Sequence, residues 1–340
     1  MRHDQMADDP STHEVQVQRL DELARYSLPL WGIDAEAPCR LINLSENATY
    51  LVEPADAPKV VLRLHREGYH SKQAIASELA WMDAIERDTG VITPTAIPGL
   101  DGERIQHGHS AHLPAERYMV LFEFIEGREP DETEDDLTVP FQQLGEVSAR
   151  LHEHAMRWPR PRQFERLTWD DAHILGPTPN WGDWRAAPAM DEAARGVLER
   201  QEVTIRRRLA AFGRDPQHYN LVHADIRLAN LLVHDGNTRV IDFDDCGMGW
   251  FLYDVATTVS FIEDHPKVPE WIDAWLEGYH RVRQLSPEER AEIPTFVMLR
   301  RMALLAWIGS HAETDLAKEQ GPDFTRVSVE LAEDYLAKFG

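Results

Sequence analysis

HADIRLANLLVHDGNTRVIDFDD, residues 223–245, packs five aspartates and two asparagines among short apolar runs. Two apolar stretches, 231–234 and 238–241, flank the polar turn HDGNT and predict a β-hairpin. A hairpin of that length returns the chain to where it left, so Asp242 is expected beside Asn230 and Asp225. Two oxygen ligands placed so close suit Mg²⁺, which takes a few protein oxygens and completes its shell with phosphates and water. A further carboxylate nearby can accept a hydroxyl proton. Metal, positioned acceptor and stabilised charge are what phosphoryl transfer from ATP requires. The plainer alternative is that these side chains cap turns and strand ends.

The rest of the chain narrows the class. Its 340 residues are 43% hydrophobic, enough for one large domain or two lobes. A net charge of -24 argues against nucleic acid and anionic membranes as partners. No apolar run approaches the roughly 18 residues that span a bilayer. The polar, acidic start MRHDQMADDPSTHE does not read as a signal peptide. Cys39 and Cys246 lie far apart without CxxC spacing, and a reduced, cytoplasmic setting is the simplest expectation. His107, His109 and His112 are irregularly spaced in a polar loop and are not expected to hold zinc. Oligomeric state is not readable.

Along the chain, residues 1–13 read as a frayed tail and 14–30 as a leading helix. CRLINLSENATYLVEP alternates like two strands around a turn at 45–47, KVVLRLHR is a strand, and SKQAIASELAWMDAIER is a helix. YMVLFEFIEG is an apolar strand ending at Gly127. Beyond it the chain is mainly helical, with helices expected at 252–263, 269–284, 295–311 and 324–338 around the small strands of the quoted segment.

HADIRLAN…DFD resembles the catalytic segment of the aminoglycoside phosphotransferase/choline kinase-like superfamily, in which the protein-kinase pattern HRDxxxxN…DFG recurs. LARYSLPLWGI, NLSENATYLV, VVLRLHR, GMGWFLYDVAT and LRRMALLAWIG look like the branch containing stress-response kinase A and homoserine kinase type II. The resemblance implies an α+β, two-lobe protein-kinase-like fold, with an N-terminal antiparallel sheet carrying a helix and a mostly helical C-terminal lobe. Residues 1–126 would form the nucleotide-binding lobe. Residues 127–340 would carry the catalytic and metal-binding loops and the acceptor site. Asp225 would be the catalytic base, and Asn230 and Asp242 the Mg²⁺ ligands. NLSENAT would cover the phosphates through Ser45 and Asn47, although the turn has no glycine to let its backbone approach them closely. Arg63 stands where protein kinases keep lysine and would hold phosphate, paired with Glu78. Backbone groups around Glu123 and Ile125 in FEFIEG would meet adenine.

The expected activity is transfer of the γ-phosphoryl of ATP to a hydroxyl of a small molecule: an amino-alcohol, a sugar or an aminoglycoside-like compound. A Ser/Thr protein kinase and a non-catalytic nucleotide-binding regulator are the rivals. His223 is expected to be a core histidine, and Asp254 a brace accepting N–H groups of the catalytic loop. His152 and His154 read as surface or partly packed. Asp245 and Trp250 lie where an acceptor would sit, and Arg300 and Arg301 could reach an anionic acceptor or pair with acids.

Overall fold

The structure is a computed structural model that describes residues 10–45, 47–109, 113, 115–131, 133, 136–312 and 314–340. It divides into two compact units, one formed chiefly by residues up to 79 and 94–125, the other by 80–93, 126–312 and 316–340. Its fold class is α+β.

In the first unit, α1 (Pro10–Ser27) buries Leu20, Leu23 and Ala24, spaced three and four apart so that they share one helix face. The helix starts inside the stretch expected to fray; residues 1–9 of that stretch lie outside the described residues. Strands β1 (Cys39–Leu44), β2 (Ala48–Val52) and β3 (Val60–Leu64) follow, then the start of α2 (Lys72–Thr89), whose residues from 80 on belong to the second unit, and β4 (Ala96–Ile97), β5 (Gln106–Gly108) and β6 (Arg117–Glu123). They form one antiparallel sheet in the order β1-β2-β3-β6-β4, with β5 also on β6. Alternation along β3 puts Leu62 and Leu64 into the core with the apolar face of α1. Arg63, between them, points to the opposite face and meets Glu78 of α2.

The second unit contains α3 (Thr138–Arg157), β7 (Leu167–Trp169), α4 (Asp171–Leu175), α5 (Glu192–Phe212), β8 (Tyr219–Val222), β9 (Leu231–His234), β10 (Asn237–Val240) and β11 (Gly247–Trp250). Helices α6 (Phe251–Thr258), α7 (Val268–Tyr279), α8 (Pro287–Ser310) and α9 (Asp315–Phe339) complete it. β9 and β10 form the expected hairpin, closed by Asp235 and Gly236, both with positive φ (49° and 74°), the backbone of a tight I′ turn. β7, β11 and β8 form a second small sheet, β11 parallel to β7 and antiparallel to β8. α8 begins eight residues before the expected start at 295, because Ser286 and Glu289 close a reciprocal capping box ahead of Pro287. α9 is interrupted at Gly321, whose φ of 46° no ordinary helix contains.

Helices α3 and α7 cross almost backbone to backbone. A Cβ on Gly145 would lie 1.9 Å from the Trp275 carbonyl oxygen, and one on Gly278 would lie 1.7 Å from that of Gln142. Neither backbone can yield without separating the helices. Gly196 in α5 meets nothing within 4 Å. Gly278→Ala is therefore expected to destabilise by about 3 kcal/mol, at the upper end of ordinary overpacking. Gly196→Ala should stabilise by about 0.5–1 kcal/mol through helix propensity alone. Urea unfolding of the two variants checks the pair, and equal effects would contradict the crossing.

Candidate active site

Strand β8 runs directly into His223, Ala224 and Asp225. This turn would be costly unaided, because Ala224 is left-handed (φ 68°) and its neighbours' N–H groups are buried. α6 satisfies them. The Asp254 carboxylate accepts from the His223 N–H (3.2 Å) and the Ala224 N–H (2.8 Å), and Thr257 Oγ1 accepts from the Ile226 N–H (3.0 Å). The Asp225 N–H reaches His223 Nδ1 at 3.3 Å. Asp254 is the expected brace, and His223 the expected core histidine, fully buried against Phe243.

The brace has a brace of its own. His152 of α3 places Nε2 2.9 Å from Asp254 Oδ2 and Nδ1 2.9 Å from the Tyr279 hydroxyl, which Arg283 Nη1 approaches at 2.9 Å. Facing a carboxylate, Nε2 carries the proton; Nδ1 then accepts from Tyr279, whose oxygen accepts from Arg283. His152 is thus not a surface residue. Burial pushes its pKa down against the opposing pull of Asp254, and burial does the same to His223.

Asp225 keeps each carboxylate oxygen on a different partner. Oδ1 accepts from Arg300 Nη2 (2.5 Å), and Oδ2 accepts from Asn230 Nδ2 (2.7 Å), with Arg227 Nε 3.4 Å away. Burial pushes this carboxyl up, but Arg300, Arg227 and His223 outweigh it and hold the group below the ordinary carboxylate range. Asn230 Nδ2 also donates to the Asp225 carbonyl (2.9 Å). Two donations to acceptors fix which end of the amide is nitrogen and leave Oδ1 facing elsewhere. The Ile241 N–H donates to the Asn230 carbonyl (3.0 Å), so the hairpin brings the residue before Asp242 back to Asn230. Asp242 is itself left-handed (φ 60°), and its Oδ1 accepts from the Asp244 N–H at 3.3 Å. The following residues are pinned through their carbonyls: Asp244 and Cys246 by Arg166, and Asp245 by Trp169 Nε1 (2.7 Å).

In the first unit, Arg63 Nη2 meets both Glu78 oxygens, at 2.7 and 2.9 Å, with Glu78 fully buried. The Asn47 side chain is half of a loop clasp, its Oδ1 accepting from the Arg66 N–H (3.1 Å), while the Ser45 N–H donates to the Asn47 carbonyl (3.1 Å). Glu123 ends β6, its N–H on the Thr95 carbonyl (2.9 Å), and Ile125 follows the strand, half-buried.

Some candidates fall away. Trp250 is buried, and its Nε1 donates to the Gly213 carbonyl (2.7 Å), so it packs rather than lining an open acceptor site. Arg300 and Arg301 are each 1% exposed and held by acids, so neither is open to an anionic acceptor. His107 pairs with Glu116 (2.9 Å), and His112 lies outside the described residues. Two contributors escaped sequence reasoning. His152 looked like one polar position on an amphipathic helix. Arg227 lies two residues past Asp225 inside the quoted motif, and its charge there was the available signal.

A left-handed turn thus ends in a half-buried, doubly held aspartate, and the hairpin after it leads the chain back to the same asparagine, on a protein-kinase-like fold. The chain belongs to the phosphotransferase enzyme family, which matches residues 39–293, and it is a kinase. It is similar to a solved microcompartment-associated aminopropanol kinase, at 42% identity and a TM-score of 0.85, covering 93% of this chain and 98% of that one. A solved amicoumacin kinase in complex with AMP-PNP and Ca²⁺ shares the fold at 19% identity and a TM-score of 0.74, over 96% and 95% of the two chains. Amicoumacin kinase of Bacillus subtilis (strain 168) is 23% identical over 305 residues, 86% of this chain and 84% of that one. No helix among the described residues is long and apolar enough to cross a membrane.

The two histidines at the catalytic turn make stability depend on pH. Their folded-state pKa values lie below the ordinary histidine value of about 6.5, so below that pH the unfolded chain binds more protons than the folded one. Their contribution is complete above pH 7 and is lost as pH falls. The melting temperature is expected to decline from pH 7 to 5.5. His152→Gln should be less stable at pH 7.5 yet show a shallower decline, measurable by calorimetry across that range; an unchanged slope would remove His152 from the account.

Proposed function

We propose that this kinase transfers the γ-phosphoryl group of ATP to the hydroxyl of a small amino alcohol. The observation that carries the proposal is Asp225, a half-buried carboxylate with one oxygen on an arginine and the other shared with an asparagine, in a chain 42% identical to an aminopropanol kinase over nearly its whole length.

Asp225 Oδ2 receives the hydrogen bond of the acceptor hydroxyl and aims its oxygen at the phosphorus. Its lowered pKa makes it a weak base, which suits a loose transition state in which the hydroxyl proton leaves late. Asn230 Oδ1 and the Asp242 carboxylate offer two oxygens, the donor set Mg²⁺ takes alongside phosphates and water. Asn230 fits this because both its donations go to Asp225, and among the described residues its Oδ1 accepts no hydrogen bond. When bound, the cation neutralises charge on the phosphates. Arg227, beside Asp225, is placed to meet the transferring phosphoryl. Arg63 meets the nucleotide's phosphates, with Glu78 fixing its direction; Ser45 and Asn47 sit in the covering turn, and the backbone near Glu123 and Ile125 receives adenine. By this assignment, residues up to 126 bind nucleotide and the remainder holds base, metal and acceptor.

ADP release should be fast with 1-amino-2-propanol or ethanolamine and at least tenfold slower with sugars, aminoglycosides and generic protein substrates. Asp225→Asn is expected to lower kcat by roughly 10³-fold, within the range for removing a positioned acid–base group, while ATP affinity changes little. Amino alcohols giving no turnover above that variant would sink the acceptor assignment. An Asp225→Asn enzyme at normal speed would sink the base.

A further inference from the structure

The arginine at 300 lies on α8 in the stretch LRRMALLAWIG, 75 residues from the aspartate it holds in HADIRLAN. Its guanidinium is 1% exposed, yet it is not simply a buried charge matched by a buried charge. Each nitrogen contacts the catalytic turn or what supports it. Nη2 donates to Asp225 Oδ1 (2.5 Å), Nη1 to the carbonyl of left-handed Ala224 (3.3 Å), and Nε to Ser260 Oγ (2.9 Å). The faces of Trp181 and Tyr253 lie 4.9 and 5.8 Å from the guanidinium carbon. Arg301, the next residue and equally buried, offers the contrast. It holds Glu263, Ser328 Oγ (2.7 Å) and the Phe324 carbonyl (3.1 Å), none of which belongs to the turn.

We infer that Arg300 is a positioning residue for the reaction. It fixes the plane of the Asp225 carboxylate and the Ala224 peptide together, so that Oδ2 alone is presented to the acceptor hydroxyl. A carboxylate rotates freely about its last bond unless both oxygens are held. Asn230 holds Oδ2 from one side, and among the described residues no hydrogen bond but that of Arg300 holds Oδ1. The planar fork of arginine can grip a carboxylate oxygen and a backbone carbonyl at once, which a lysine ammonium does less well. The inference rests on Asp225 being the base. It also closes Arg300 as a contact for an anionic acceptor, in keeping with a cationic or neutral one.

A double-mutant cycle tests it. Arg300→Met, of similar length and apolar, should lower kcat by about 100-fold, the size expected from misplacing a reacting group by an ångström, with the KM for ATP within about twofold. In an Asp225→Asn background, the same substitution should cost less than about threefold by single-turnover measurement, because the group it positions is already gone. Arg300→Lys should recover part of the loss; if the Met variant does not fold, the Lys substitution runs the same cycle. Equal losses in both backgrounds would make Arg300 merely structural and overturn the inference, as would a variant with full kcat. If Asp225→Asn itself retained full activity, the base assignment would fail instead, and the two failures are distinct.

Discussion

A fully buried carboxylate must be satisfied or expelled, and Asp254 is satisfied by the turn at 223–225 itself. Two of its hydrogen bonds come from consecutive N–H groups that no strand or helix partner could reach, and a third comes from His152. The left-handed conformation at Ala224 persists because Asp254, with Thr257 and Arg300 beside it, over-determines it. With the turn fixed, Asp225 emerges at a set angle, the hairpin can return to Asn230, and Arg300 finds an oxygen to grip. The energetic order is therefore from the core outward: a satisfied acid in α6, then a strained backbone, then a reactive side chain.

How much of this was legible in the residues follows from sequence separation. The hairpin could be read because the turn HDGNT and the apolar runs beside it lie within eleven residues, and the Arg63–Glu78 pair because a strand and the next helix must face each other. Asp254 was readable as a brace because it opens a helix just past the motif and has no solvent-facing role there. Arg300 was readable only as a contact for an anionic acceptor or a partner for acids, not as the partner of Asp225, and His152 was not readable as a site residue. Their partners lie 75 and 102 residues away, and periodicity marks a helix face without naming what it meets. β7 is three residues long, too short to show alternation. The start of α8 was missed although SPEE carries its capping signal, because the apolar periodicity begins only after Pro294.

The first unit shows how charge substitutes for glycine and lysine. Asn47 clasps the Arg66 N–H where a glycine bend would be expected, and the buried cation of β3, Arg63, is locked by the buried acid Glu78. A guanidinium grips both oxygens of Glu78 through one nitrogen in a fixed plane, which an ammonium in the same ion pair does less directionally.

The close crossing of α3 and α7 bears on how such an enzyme can change its substrate over time. Gly145 lies two turns before His152 on α3, and Gly278 directly precedes Tyr279 on α7, so the helix separation sets the reach of the His152–Tyr279 hydrogen bond. Any side chain at either glycine would lengthen a relay that ends at the catalytic turn. Under drift or laboratory diversification aimed at new acceptors, positions 145 and 278 therefore stay closed to variation for reasons unrelated to substrate.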